Sequence, residues 1–327
     1  MFLVWGRPDQ GPRSQALARE LGIETTLFIA APGRRGRLWA IPRYGVQAFR
    51  TIAWLVRLRP RVVFVQVPPS FVAWIAAAYG RATGAAYVLD AHSAAFQVGA
   101  WMRPRRVFRW VTRGAVATTT TDEHWAALVR AAGGRAFVIP DVPTDFPTGE
   151  PYPRSDRFRV VVVNTWAPDE PIGAVLEAAR QVTDIEFVIT GSVRRATVDV
   201  GAAPANVIFS DFLPEPRYHA LLAGADAVMC LTTRDHTMQR GACEALSHGR
   251  PIVTSDWPLL RAYFRKGAVL VDPSPDGIRD GIARLRLAYQ VYLREVLELR
   301  DEEREMFRSR RDILITAVMA RLKGSAE

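Results

Sequence analysis

The stretch AVMCLTTRDHTMQRGACEALSHGRPIVT, residues 227–254, decides the fold. Its first five residues are all apolar, which predicts a strand that is buried on both faces and ends at Leu231. A polar loop follows, and a helix then begins near residues 237–241 and ends at Gly249. Pro251 opens a second apolar run. A strand, a helix and a second strand in this order are typical of a parallel sheet.

The same alternation extends outward over the whole chain. Apolar runs predict strands at residues 2–5, 25–29, 62–67, 86–90, 116–120, 136–139, 159–163, 186–190, 207–210, 227–231, 252–254 and 268–271. Helical spacing predicts helices at 14–21, 46–58, 70–83, 122–132, 172–182, 215–223, 239–248 and 259–263, and almost without interruption from Asp276 to Leu322. We therefore expect two successive α/β domains, each a doubly wound parallel sheet.

A proline-rich segment separates the two series of strands. Residues 140–153 contain five prolines among fourteen residues, as interdomain linkers often do. We expect an N-terminal domain at 1–145, a linker at 146–157, a second domain at 158–284 and C-terminal helices at 285–327.

Positive charge is concentrated in the first half of the chain. Residues 1–150 contain 19 arginines, no lysine and 9 acidic residues, while basic and acidic residues balance in the second half. Basic and aromatic residues interleave at 34–54 and 101–110, which favours peripheral contact with an anionic membrane. The alternative is a helix that packs its aromatic side chains inward and exposes its arginines. Nucleic acid is not indicated, since no binding motif is present.

Several classes of protein are not indicated. The longest apolar stretch, 71–79, is shorter than the roughly 20 residues of a membrane-spanning helix. The first five residues lack the basic flank of a signal peptide, and Cys230 and Cys243 fall where buried free thiols are common. The histidines have no metal-ligand spacing, and no D-x-D pair is present. We expect a cytoplasmic protein that works without a metal, with peripheral contact on the inner face of the membrane.

The helix that begins near residues 237–241 is the first candidate site. A helix start after a strand offers unpaired N–H groups and the positive end of the helix dipole, which suit a phosphate. Arg240 adds a planar cation, and Glu244 one turn on can accept hydrogen bonds from ribose hydroxyls.

Residues 241–256, GACEALSHGRPIVTSD, resemble the donor-site helix of glycosyltransferase family 4. In that family an E-x7-E motif ends in a Glu that is followed by a small-residue helix, Gly and Pro-Val. The resemblance implies the GT-B fold, two Rossmann-like domains that face each other across a cleft, and a helical tail that packs back on the N-terminal domain. A dimer contact is the alternative for the tail. The resemblance also implies a donor site for a nucleoside diphosphate sugar at Asp235, Thr237, Met238, Gln239, Arg240, Gly241 and Glu244.

Two departures indicate a diverged relative. His236 stands eight residues before Glu244, where the family has its first Glu. The loop NTWAPDEP, residues 164–171, lacks the Arg and Lys that the family carries there. The usual retaining mechanism is thereby left open, with His236 next to the sugar if it applies. The structural alternative makes Glu244 a satisfied polar residue near a helix cap.

Two other loops are candidates for donor binding. Gly191 and Ser192 follow a strand and let the backbone approach a ligand, and Arg194 can meet phosphate. Phe212 and Leu213 occupy the loop where relatives hold the nucleotide base.

The first domain carries the candidates for catalysis and acceptor binding. Asp90 and His92 lie at the carboxyl end of a buried strand, so His92 is a candidate base and Asp90 either orients it or acts as the base itself. A lone histidine is also often structural. Arg7, Arg13 and Ser14 form a second cluster that could bind the acceptor, with helix capping as the alternative for Ser14.

These observations lead to a hexosyltransferase that moves a sugar from a nucleoside diphosphate sugar, UDP- or GDP-linked, to a hydroxyl acceptor. No cofactor is expected. The acceptor is expected to be lipid- or polysaccharide-linked, which fits glycolipid or polysaccharide biosynthesis. The alternatives are a sugar-nucleotide epimerase on the same fold and a non-catalytic GT-B-like partner subunit.

Overall fold

The computed structural model describes residues 1–7, 12–31, 39–141, 143–147 and 149–324. The chain divides into two compact units. The first unit comprises residues 1–141 and 306–327, and the second comprises residues 142–305. Of the basic and aromatic segment at 34–54, residues 34–38 lie outside the described residues.

The first unit contains a six-stranded parallel sheet in the order β2-β1-β3-β4-β5-β6. Its strands are β1 (Phe2–Val4), β2 (Thr26–Phe28), β3 (Val62–Val67), β4 (Ala86–Ala91), β5 (Ala117–Thr120) and β6 (Ala136–Val138). Because β1 lies between β2 and β3, the chain winds outward from β1 in both directions, as in doubly wound sheets.

Helices of the first unit are α1 (Pro12–Glu20), α2 (Ala40–Leu58), α3 (Ser70–Thr83), α4 (Ala94–Gln97), α5 (Arg105–Gly114) and α6 (Glu123–Ala131). One apolar core joins strand residues such as Val65 to Leu55 of α2, Val72 of α3 and Val111 of α5. Helix α3 packs against both α2 and α5. The three helices therefore cover the same face of the sheet.

The second unit contains another six-stranded parallel sheet, in the order β12-β11-β10-β7-β8-β9. Its strands are β7 (Phe158–Val162), β8 (Ile185–Thr190), β9 (Val207–Asp211), β10 (Ala227–Cys230), β11 (Ile252–Ser255) and β12 (Ala268–Val271). Val160 and Val162 enter one apolar core and Val161 enters another. Since side chains alternate along a strand, both faces of this sheet are covered.

Helices of the second unit are α7 (Ile172–Gln181), α8 (Glu215–Ala223), α9 (Arg240–Ser247), α10 (Pro258–Tyr263) and α11 (Pro275–Leu287). Helix α12 (Tyr289–Lys323) begins in the second unit, and its last residues belong to the first. No helix within the described ranges is long and apolar enough to cross a membrane.

The predicted fold class is confirmed. The chain forms two Rossmann-like parallel sheets flanked by helices, with a helical C-terminal region, and every predicted strand is present with ends shifted by at most one residue. Helix α2 begins six residues earlier than predicted, because Pro42 lies in its first turn, where proline is tolerated. Helix α5 was not among the predicted elements, since its many arginines obscure the apolar spacing.

Candidate functional site

Four loops at the carboxyl ends of the strands β7–β10 are joined by hydrogen bonds. Asp169, after β7, accepts a hydrogen bond from the Thr232 hydroxyl, after β10, at 2.8 Å. The backbone N–H of Val193, after β8, donates to Asp211 Oδ1, at the end of β9, at 2.9 Å. The four loops therefore form one polar surface at the edge where ligands bind in open α/β sheets.

Glu244 lies at the centre of the best-defined cluster. Its Oε2 accepts a hydrogen bond from the Tyr218 hydroxyl at 2.6 Å, and its Oε1 lies 2.8 Å from Arg240 Nε. Burial, and then the Glu244 carboxylate, raise the pKa of Tyr218 well above its ordinary value, so the phenol stays protonated. The Glu244 carboxylate is thus held at both oxygens, by a phenol at one and a guanidinium at the other.

The start of α9 packs tightly against the sheet. A Cβ added to Gly241 would lie 2.6 Å from Val163 Cγ1 and 2.7 Å from Cys230 Sγ, so only glycine fits here without a shift. The side chain of Gln239, the residue before the helix, makes no capping hydrogen bond among the described residues. The carbonyl oxygen of Gln239 accepts hydrogen bonds from the amides of Ala242 and Cys243, both at 3.1 Å.

The turn before α9 is held by contacts within itself. The His236 backbone has a positive φ of 52°, and its N–H donates to Asp235 Oδ1 at 2.6 Å. The Thr237 hydroxyl lies 3.2 Å from the carbonyl oxygen of Asp235. Met238 packs against the apolar core below. The structure thus brings all six predicted donor residues from Asp235 to Gly241, together with His236, into one turn and one helix start.

Gly191 is pressed against the loop that follows β7. Its φ is +99°, and an added Cβ would lie 2.3 Å from the carbonyl oxygen of Asn164 and 3.1 Å from Trp166 Nε1. Asn164 Nδ2 and Trp166 Nε1 are buried donors that have no acceptor in the part of the chain that the structure describes. Ser192 is half-buried and Arg194 is exposed beside them.

The loop after β9 presents one aromatic side chain to solvent. Phe212 is 75% exposed, whereas Leu213 packs against the core that contains α9. Asp211 has a positive φ of 57°, and backbone N–H groups of Val193 and Phe212 lower the pKa of its carboxyl group. Phe212 is therefore an exposed flat surface next to the polar loops.

Acidic residues hold the loop in which the family has Arg and Lys. Glu170 accepts hydrogen bonds from the backbone N–H groups of Thr165 and Ala167, both at 2.8 Å. Asp169 binds Thr232 and lies 3.4 Å from an Arg234 guanidinium nitrogen. The cation next to this loop is thus supplied by the loop after β10.

Asp90 and His92 form a hydrogen-bonded pair at the end of β4 in the first unit. His92 Nε2 lies 3.2 Å from Asp90 Oδ2, and the His92 side chain is partly exposed while Asp90 is fully buried. Burial by itself would raise the pKa of Asp90, but Arg13, His92 and Thr119 outweigh it and hold the pKa well below its ordinary value. Asp90 therefore stays ionised and orients the ring of His92.

The acceptor candidates in the first unit divide into two groups. Arg13 and Ser14 are buried, and both contact Asp90, Ser14 Oγ at 3.0 Å and Arg13 at 3.5 Å. Arg13 also pairs with Asp141. The anions that Arg13 meets in this structure are thus carboxylates of the protein. Arg7, in the loop after β1, is exposed.

Two features of the site were not predicted from the sequence. Tyr218 is 26 residues from Glu244, and no spacing pattern links a residue of α8 to one of α9. The loop of Asp169 entered the prediction only for its lack of basic residues. The acidic pair before the helix was the signal for a structural turn. Among the described residues, no group of three or more His, Cys, Asp or Glu could hold a metal ion.

Comparison with known proteins identifies the second unit. Residues 157–286 match the family model described as "Glycosyl transferases group 1". This segment contains β7–β12 and α7–α10, and with them every residue of the cluster around Glu244. No curated protein matches the chain in sequence.

Solved structures resemble the whole chain. Sucrose-phosphate synthase from Thermosynechococcus elongatus is 14% identical, with a TM-score of 0.71 over 100% of this chain and 99% of that one. HepE from Anabaena, in complex with UDP and glucose, is 13% identical, with a TM-score of 0.66 over 100% and 99%. A putative UDP-N-acetylglucosamine 2-epimerase from Listeria monocytogenes is 12% identical, with a TM-score of 0.60 over 90% of each chain.

At these low sequence identities, the matches to solved structures establish the fold alone. The match to the family model is the finding that bears on the activity. The predicted resemblance to GT-B glycosyltransferases is confirmed. The predicted transfer of a sugar from a nucleotide sugar is also confirmed, at the level of the family.

Proposed function

We propose that this glycosyltransferase moves a hexose from a UDP- or GDP-linked donor to a hydroxyl acceptor, without a metal ion. The second unit binds the donor through the cluster around Glu244. HepE and MnaA have each been solved with UDP, which favours UDP as the first donor nucleotide to test.

The observation that carries the proposal is the position of Glu244. It lies one turn into α9, where Tyr218 and Arg240 each hold one of its oxygens. A carboxylate fixed in this way can accept hydrogen bonds from the hydroxyls of a ribose, because it offers about four acceptor positions and its orientation is already set. Its location in the segment that matches the family supports this role.

The diphosphate is proposed to bind at the start of α9. The side chain of Gln239 makes no capping hydrogen bond there among the described residues, and the helix dipole favours negative charge. Arg234 and Arg194 supply exposed cations on the neighbouring loops. Asn164 Nδ2 and Trp166 Nε1 add neutral donors where the family has Arg and Lys. The same groups stabilise the leaving diphosphate as the bond to the sugar breaks.

The first unit is proposed to bind the acceptor. In an inverting transfer, the acceptor oxygen forms the new bond to the sugar carbon, its proton passes to His92, and the diphosphate leaves with the bonding electrons. Asp90 fixes the ring of His92 and stays ionised. In a retaining transfer, His236 borders the sugar instead. A lipid- or polysaccharide-linked acceptor fits a cytoplasmic enzyme whose basic half contacts an anionic membrane.

Titration of UDP and GDP by calorimetry tests the donor site. Glu244→Ala should weaken nucleotide binding about 10- to 100-fold, since hydrogen bonds to a charged group contribute about 1.5–3 kcal/mol. Glu244→Gln keeps the shape of the side chain and removes its charge, and should show a smaller loss. Glu177→Ala, an exposed substitution on α7, is the matched control. Equal affinities of Glu244→Ala and the control would contradict the proposal.

Turnover distinguishes the proposed activity from its two alternatives. A proton NMR time course of the enzyme with a UDP sugar alone should show no conversion to an epimer. Addition of membrane lipid extract or oligosaccharide acceptors should release UDP. Epimerisation without an acceptor would indicate the epimerase, whose fold this chain shares. Nucleotide binding without turnover of any donor would indicate a non-catalytic subunit.

A further inference from the structure

Helix α2 of the first unit buries two polar side chains and leaves several of its large apolar side chains in solvent. Its buried stripe is Gln47, Thr51 and Leu55. The amide of Gln47 donates to the carbonyl oxygen of Ile29 at 2.7 Å, and the hydroxyl of Thr51 accepts a hydrogen bond from Trp5 Nε1 at 2.8 Å. The polar groups of this stripe are therefore satisfied, while Leu55 and the partly buried Tyr44 supply the apolar contact of α2 with the core.

The solvent side of α2 carries an apolar stripe. Ile41, Phe49, Ile52 and Val56 are 84%, 74%, 50% and 62% exposed. At 100° per residue these four positions fall within an arc of about 80°, so they form one line along the helix. A surface helix of a soluble protein normally turns such a stripe toward the core. Here the stripe has no cover within the described residues.

Arginines form a second line on the solvent side of α2. Arg43, Arg50 and Arg57 recur every seven residues, which places this line about 140° around the helix from the apolar stripe. Arg43 lies over the ring of Tyr44 and Arg57 over the ring of Trp54, at 5.2 and 5.8 Å. In the described part of the chain no acidic side chain pairs with the three arginines.

Helix α5 extends the basic surface on the same face of the sheet. Arg106, Arg109 and Arg113 surround Trp110, which is 46% exposed, and together they line a shallow open groove. Phe108 packs inward on the core, so the predicted alternative of inward aromatics and outward arginines applies to this helix in part. It applies to α2 in part as well, since Tyr44 packs on the core while Phe49 is exposed. Since α3 packs between the two helices, both outer surfaces belong to one side of the first unit.

Acidic residues are excluded from this whole region. Between Glu24 and Asp122 the sequence contains 14 arginines and one acidic residue, Asp90, which is fully buried. No negative charge of the protein can therefore neutralise the surface from within that segment. The complementary partner is a surface of high negative charge with an apolar layer beneath it.

We infer that α2 and α5 dock the first unit on an anionic lipid bilayer. The apolar stripe of α2 inserts at the level of the lipid headgroups and upper acyl chains, parallel to the membrane plane, while the arginines of both helices bind lipid phosphates. A folded protein partner would need carboxylates and an apolar groove of matching length. An anionic bilayer offers negative charge and an apolar layer over any length. This inference rests on the proposed function in one respect. The proposed function includes contact with an anionic membrane, and the inference names the surface of the first unit that makes this contact.

Sedimentation with lipid vesicles tests the inference on the full chain. Vesicles of 70% phosphatidylcholine and 30% phosphatidylglycerol should bind the protein, and pure phosphatidylcholine should bind it far more weakly. Phe49→Ser/Ile52→Ser should weaken binding about 10-fold or more, because each side chain loses its apolar burial. Arg106→Gln/Arg109→Gln should weaken it roughly 5-fold per charge, with a smaller salt dependence.

Matched controls remove the same groups elsewhere on the surface. Ile313→Ser/Met319→Ser removes two exposed apolar residues from α12, and Arg157→Gln/Arg261→Gln removes two exposed positive charges from the second unit. Both control variants should bind vesicles as the wild type does. All substituted residues are solvent-exposed, so thermal melts should stay within a few degrees of the wild type.

Three results would overturn the inference. They are equal vesicle binding by the α2 variant and its control, binding that does not depend on anionic lipid, and a change of oligomeric state on Phe49→Ser/Ile52→Ser, which would make the stripe an interface between copies of this chain. Calorimetry with UDP separates this test from that of the donor site. The α2 variant should keep the nucleotide affinity of the wild type, and Glu244→Ala should keep its vesicle binding.

Discussion

The substitution Asp90→Asn tests how the buried carboxylate at the end of β4 stabilises the first unit. Asp90 has no exposed surface, and the hydroxyls of Ser14 and Thr119 both lie 3.0 Å from it. His92 Nε2 lies at 3.2 Å and a guanidinium nitrogen of Arg13 at 3.5 Å. The negative charge of Asp90 therefore balances a buried cation, and asparagine removes that charge with little change of shape.

The expected loss of unfolding free energy is about 3 kcal/mol. Removal of one partner of a buried ion pair costs about 3–5 kcal/mol. The lower end applies here, because Arg13 keeps its contacts with Asp141 and with the carbonyl oxygen of Ile139. The amide of asparagine can also donate to Ser14, since a hydroxyl accepts as well as donates.

The loss should depend on pH in a defined direction. Burial alone would raise the pKa of Asp90, but Arg13, His92 and Thr119 hold it below its ordinary value. The carboxylate is therefore fully effective above about pH 4, and its contribution disappears as the pH falls through the lowered pKa. Asparagine does not titrate, so the difference between wild type and variant should narrow below about pH 4.

Urea unfolding followed by tryptophan fluorescence measures this difference. Seven of the nine tryptophans lie in residues 1–141, so the signal reports mainly the first unit. Glu123→Gln, which breaks an exposed pair with Arg130 in the same unit, should cost less than about 1 kcal/mol. The reasoning is refuted if Asp90→Asn costs no more than this control, or if its effect stays constant from pH 5 to pH 2.5.

Two further predictions concern the second unit. Gly191→Ala should destabilise it by about 1–3 kcal/mol and weaken UDP binding, because the new Cβ would meet the backbone oxygen of Asn164 at 2.3 Å; Gly173→Ala, with open space around it, should be neutral or slightly stabilising in the same melts. His219 and His248 lie 3.1 Å apart, and burial together with neighbouring charge lowers the pKa of each to about 4. Their neutral forms stabilise the fold above about pH 6.5, and this contribution falls as the pH drops toward 4. Circular dichroism in urea should therefore show that the wild type loses more stability from pH 7 to pH 5 than His219→Asn/His248→Asn, and equal losses would contradict the assignment.

The parallel sheets were predictable from the sequence because their strands are buried on both faces. A run such as Val160–Val162 or Val228–Met229 is apolar without alternation. The apolar pattern of such a run is set by its own residues and does not depend on distant parts of the chain. The order of the runs and the proline-rich segment then limited the fold to two doubly wound domains, which the structure has.

The donor-site helix was predictable for a related reason. Gly241, Glu244 and Gly249 lie within nine residues of one another, so their spacing along one helix can be read directly. Position 241 needs a small residue because it packs against Cys230. By contrast, the partner of Glu244 on α8 and the contact of Asp169 with Thr232 join segments that are 26 and 63 residues apart.

The sequence by itself determined the class of fold, the position of the helix that carries Glu244 and the excess of arginine in the first half. Only the tertiary structure decided which side chains surround each charge, that Asp90 lies among Arg13, Ser14 and His92, and that α2 leaves several of its large apolar side chains in solvent. The physical reason is that burial of a strand or a glycine is encoded locally, by the residue and its neighbours. The environment of a charge and the orientation of a surface helix depend on residues brought together from distant parts of the chain.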